Sequence, residues 1–162
     1  MIISNRPASH DIKFTLADTN LTRLDETKDL GILFNSRLNF STHISTIMTN
    51  AKQRLYLLRK SFSSCDCDAL ILAFKTYIIS LVEYCSPVWS PSSVGDILKI
   101  ESIQRSFTKS LNICSSLTYS ERLTVCGLRS LEYRRLVADL VLFYKIVNKL
   151  TVIDLGDSLP VL

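Results

Sequence analysis

The chain has 162 residues, a net charge of +4 and a hydrophobic share of 47%. That length and apolar content exclude a disordered chain and are enough for one domain with a real core. Four glycines and four prolines are too few for a loop-rich or all-β protein, so the expectation is mainly helical.

The charge is unevenly placed. Residues 1–35 carry four Lys/Arg against five Asp/Glu, and residues 36–150 carry fifteen against eight. Residues 151–162 add two acids only. A basic middle segment points to a polyanionic partner, while a mildly basic solvated surface is the plainer reading. The five cysteines are odd in number, and MIISNRPASH holds no apolar run of signal-peptide length. Free thiols and an intracellular location, cytoplasmic or nuclear rather than secreted, are therefore expected.

In chain order, Ile12, Phe14 and Leu16 alternate with polar residues, and LGILF follows after a polar link. This predicts two short strands within residues 1–35, a β-hairpin or the edge of a sheet. From Ser41, a candidate N-cap, the period becomes helical. Ile44, Ile47, Met48, Ala51, Leu55, Leu58 and Phe62 form one apolar stripe. A second helix is expected from Asp68 to Tyr84. Its apolar run is interrupted by Lys75 and Glu83 and falls short of the ~18–20 clean residues of a membrane span.

The segment EYCSPVWSP sets Trp89, the single tryptophan, between Pro87 and Pro91. It predicts a rigid loop, with Pro87 ending the second helix and Trp89 plugging the junction of helices two and three. A third helix from Ser93 carries Ile97, Ile100, Ile103, Phe107 and Leu111 on one face. Thr118 and Glu121 form a capping box for a short helix that stops at Gly127. Ser130 caps a last helix that runs to about Leu150. Being apolar on most of its circumference, that helix is expected to be central. The organisation is a hairpin at 1–35, about five helices over 36–150, and a tail at 151–162.

No Gly-rich phosphate loop, G-x-S-x-G, H-E-x-x-H or paired-carboxylate motif is present. His10 and His43 read as solvated or capping, and Asp66 and Asp68 as helix-start residues. Cys65 and Cys67 lack partners at zinc-ligand spacing. The expectation is a chain with no catalytic residue, metal or cofactor of its own.

The first helix carries the sharpest signal. Between Asn35 and Cys65 lie five basic residues and no acid. Lys52, Tyr56, Arg59 and Lys60 share a flank beside the apolar stripe, a cationic ridge able to follow phosphates. Arg105 and Lys109 on the third helix offer a second such contact, although Glu101 on the same side favours a solvated face there.

In order, DLGILFNSRLNFSTHI, AKQRLYLLRKSF, LVEYCSPVWSP, IESIQRSFTKSL and LTYSERLTVCGLRSLEYRRLVADLVLFYKI resemble a known family. It is the region after the catalytic core in reverse transcriptases of non-LTR, Jockey-like LINE retrotransposons, over about residues 12–150. The resemblance implies a palm-edge hairpin followed by a thumb-like helical bundle packed on the template–primer duplex, RNA–DNA or DNA. It implies that the Asp-Asp box and its Mg2+ belong to a palm outside this chain. The fragment would then grip a duplex without polymerising by itself, its other partners being the missing palm and fingers. The alternatives are a helical protein–protein interaction module and a retroelement remnant with no role.

Overall fold

A computed structural model describes residues 3, 14–17, 19–22, 24–62, 66–114 and 116–153. The expectations for His10, Ile12, Cys65 and most of the 151–162 tail lie outside the described residues. The chain forms two compact units, Met1–Ile47 and Met48–Leu162. It is mainly α, with small hairpins ahead of the helices.

In the first unit, β1 (Thr15–Leu16) pairs antiparallel with β2 (Thr19–Asn20), and β3 (Glu26–Asp29) pairs with β4 (Ile32–Asn35). Among the described residues the two expected strands thus do not pair with each other. The polar link between them supplies a partner for each, because ladder bonds join backbone atoms and a solvated face tolerates polar side chains. Leu30 and Gly31 both take positive φ, 45° and 87°, and close β3–β4 as a two-residue turn of the primed kind. Asn35 Oδ1 then accepts the N–H groups of Arg37 and Asn39 at 3.1 and 2.7 Å, and Asn39 Oδ1 accepts that of Ser41 at 2.9 Å. This relay of side-chain caps leads into α1 (Ser41–Ser61), which begins at the expected serine.

His43, expected to be solvated or capping, is buried, and its Nδ1 accepts the Leu33 N–H at 3.2 Å. Hydrophobic periodicity could not show this, because the partner lies ten residues back on a strand. The predicted stripe on α1 is buried from Ile44 to Leu58, with Phe62 half-buried at its end.

In the second unit, α2 (Cys67–Phe74), a π-helical turn (Lys75–Ile79) and α3 (Ser80–Glu83) run on as one rod, matching the expected second helix. The rod ends at Glu83, and Cys85 at φ 52° turns the chain. Trp89 is then not in a loop. It ends α4 (Ser86–Trp89), a single helical turn with Pro87 near its start, where a missing N–H leaves no hydrogen bond unmade. The ring is 1% exposed, and Nε1 donates to the Tyr84 carbonyl at 2.9 Å. α5 (Val94–Lys109), α6 (Tyr119–Val125) and α7 (Leu131–Val147) complete the unit, and α4 packs on α7. Phe107 is buried and stacks parallel on Phe74, with ring centroids 3.9 Å apart.

Thr118 and Glu121 form the expected capping box, which holds the Glu121 carboxyl below the ordinary carboxylate range. Gly127 ends α6 at φ 58°. Ser130 caps α7 by accepting the Tyr133 N–H at 3.2 Å. The last helix, however, is not central. Of its residues only Leu131 and Arg135 are fully buried, because a single stripe faces α4 and α5 while the rest has no cover.

Two outcomes follow from this geometry. A Cβ on Gly127 would meet nothing within 4 Å, so Gly127→Ala isolates the cost of positive φ. Urea denaturation should show a loss of about 1 kcal/mol with an unchanged slope. Burial, then Lys28, lowers the His43 pKa from its ordinary 6.5. The unfolded chain then binds the proton first, so this stability is present above pH 6.5 and is lost as pH falls through the lowered value. The amide protection factor of Leu33 should drop on acidification across that window.

Candidate nucleic-acid interface

The α1 ridge is exposed as its spacing demands. Lys52, Tyr56, Arg59 and Lys60 all reach solvent while Ala51, Leu55 and Leu58 are buried beneath them. The two arginines of the helix are also structural. Arg54 Nη1 donates to the Tyr77 carbonyl in the π turn at 2.9 Å. Arg59 Nη2 donates to the Ser106 carbonyl at 2.7 Å and to its Oγ at 3.1 Å. Arg59 thereby fastens α1 to α5, and its partial desolvation there lowers its proton affinity.

Two clefts open on either side of Arg59. One, of about 180 Å³, is lined by Lys52, Leu55, Tyr56 and Arg59 of α1 and by Ser102, Ile103 and Ser106 of α5. The other, of about 280 Å³, runs past Leu58 and Phe62 to Phe107, Leu111 and Asn112. The first combines two cations, an aromatic face and two hydroxyls, which is the chemistry of a phosphate backbone contact with room for a stacked ring. Lys109 is exposed one helical turn beyond Ser106.

Arg105 does not join this group. Its guanidinium lies 4.0 Å from the centre of the Tyr119 ring, turned towards α6, with Arg122 at 5.5 Å from the same ring. Glu101 departs from expectation further. It is 5% exposed, so it does not mix a negative charge into the α5 surface. Its Oε2 accepts the Leu131 and Glu132 N–H groups at 3.0 and 3.3 Å, and its Oε1 accepts the Tyr119 hydroxyl. A carboxylate on the first N–H groups of α7 also complements the helix dipole. Burial, with the Glu101 bond, raises the Tyr119 pKa above its ordinary range. Gln104 Nε2 completes the network, donating to Tyr119 Oη at 3.2 Å and to the Arg129 carbonyl at 2.9 Å.

Sequence reasoning missed Ser102, Ser106 and this network. The serines were readable as the polar positions of α5 a turn apart, but nothing in the sequence says that α1 faces them. Cys114 and Cys126, both buried free thiols, lie 3.7 Å apart at Sγ. Burial and then the Cys114 contact push the Cys126 thiol up to about 11, which leaves it protonated. Among the described residues no helix is long and apolar enough to cross a membrane, and no three His, Cys, Asp or Glu are grouped as metal ligands.

The chain is 22% identical over 128 residues to an uncharacterized protein of Caenorhabditis elegans, an alignment covering 76% of this chain. The chain spans 64% of the length of that relative. No family model and no solved structure matches.

The loss of Glu101 leaves several buried donors without an acceptor. Glu101→Ala strands two helix N–H groups and the Tyr119 hydroxyl. Chemical denaturation should show a cost of about 3 kcal/mol, with Glu101→Gln costing less because one oxygen still accepts.

Proposed function

We propose that the α1–α5 face grips the phosphate backbones of an RNA–DNA or DNA duplex, as the thumb of a non-LTR retrotransposon reverse transcriptase does. On this reading the catalytic Asp-Asp box and its Mg2+ lie on a palm outside this chain. The observation that carries it is the acid-free flank of α1, where Lys52, Tyr56, Arg59 and Lys60 are exposed together and two of the cations line one cleft with α5 hydroxyls. The order of the quoted motifs along the chain supports the same reading. Arg59 has a double role, fastening α1 to α5 and presenting a cation at the cleft. Lys52, Lys60 and Lys109 supply mobile charges that neutralise phosphates and release counterions. Such a surface reads duplex shape and backbone, so base identity should matter little.

A second reading, a helical module that docks protein, is favoured by one observation, the uncovered apolar side of α7.

Salt separates the two. Duplex affinity should fall with added salt, log K losing about 0.9 per phosphate neutralised for each decade on B-form DNA. Lys52→Glu with Lys60→Glu leaves the Arg59–Ser106 bonds in place. It should weaken binding alike for all sequences and flatten the salt slope by about two. Salt-independent binding, or a double variant that binds as the parent does, would contradict the electrostatic grip.

A further inference from the structure

The outward face of α7 is apolar from end to end. Leu140 is 58% exposed, Phe143 54% and Tyr144 62%. Arg135 and Asp139 lie on the side turned into the unit, and the exposed Glu132, Arg134 and Lys145 stand outside the seam positions. A surface helix in water usually keeps its large apolar residues inside, yet Leu136, Leu140, Phe143 and Tyr144 are exposed here. The exposed residues also keep a strict spacing. Tyr133, Leu136, Leu140, Phe143 and Val147 alternate by three and four residues, the 3.5 repeat of a coiled-coil seam.

We infer that α7 is a homodimer interface, packed antiparallel against α7 of a second copy. The seam is self-complementary about a two-fold axis. If Leu140 faces Phe143 of the other copy, Leu136 faces Val147, so the four positions about the axis pair with one another. At roughly 100 Å² each, the five seam residues with Val137 and Tyr144 present about 700 Å², within one partner's share of a standard-size interface. That exceeds the few hundred Å² of apolar patch a monomer usually exposes. The interface lies on α7, and the phosphate-gripping face lies on α1 and α5, so neither proposal depends on the other.

Sedimentation of the full chain in the micromolar range tests this. A species of twice 18.3 kDa is expected, with Leu140→Glu returning the mass to 18.3 kDa while helical circular dichroism is kept. A parent that stays monomeric, or a dimer indifferent to Leu140→Glu, overturns the inference. If Leu140→Glu does not fold, cross-linking decides, in a background of Cys65→Ser, Cys67→Ser and Cys85→Ser. Leu140→Cys with Phe143→Cys should then oxidise to a covalent dimer, and Tyr133→Cys with Leu136→Cys should not. Cross-linking of both pairs or of neither overturns the antiparallel register.

Discussion

A carboxylate removed from water must have its lone pairs answered by protein donors, and Glu101 meets that demand with the start of α7 and the Tyr119 hydroxyl. The rest of the helical unit follows from this constraint. The first turn of α7 is fixed against α5. Tyr119 is held in place, so that its ring becomes a platform for Arg105. Gln104 ties the same corner to the chain just before α7. Arg135 is buried near Glu101, Glu132, Glu83 and Asp139, whose charges oppose the lowering of its pKa by desolvation. On the rim of this cluster, Arg134 pairs with Glu83 through both oxygens, which raises its pKa and joins α7 to α3.

One consequence is the division of labour among the cations. The arginines are spent on structure: Arg54 on the π turn, Arg59 on Ser106, Arg105 on Tyr119, Arg122 on Thr108 and the Leu117 carbonyl. The guanidinium suits this work because several fixed N–H groups reach carbonyls and rings at once. The lysines of α1 and the end of α5 stay exposed, compact charges on mobile stems. A second consequence concerns α7. With Arg135 drawn inward to Glu101 and its neighbours, an apolar seam of α7 is left outside.

Much of the fold was legible in the sequence. The five main helices follow from hydrophobic period, and the limits of α6 from Thr118, Glu121 and Gly127, since capping is a local matter of a few residues. The exposed set Lys52, Tyr56, Arg59 and Lys60 was also legible, because position on a helix face depends on spacing alone. Trp89 was misjudged as a loop residue. Two prolines argue against helix interiors, but a one-turn helix has no interior, and Pro87 stands near its start. The hairpin pairing was misjudged as well, because apolar alternation marks a strand's buried face and says nothing of a polar partner such as Glu26–Asp29.

The sequence by itself determined the helices, their caps and the side of α1 on which the cations stand, all of them consequences of neighbours within about a turn. Only the tertiary structure decided what those faces meet. It turned Glu101 from a surface acid into a buried cap, sent Arg105 to Tyr119 instead of the cleft, set Ser102 and Ser106 opposite α1, and left α7 at the edge. Each of these depends on contacts between residues 14 to 47 positions apart, and a periodicity shared by every buried helix carries no information about which helix lies across from it.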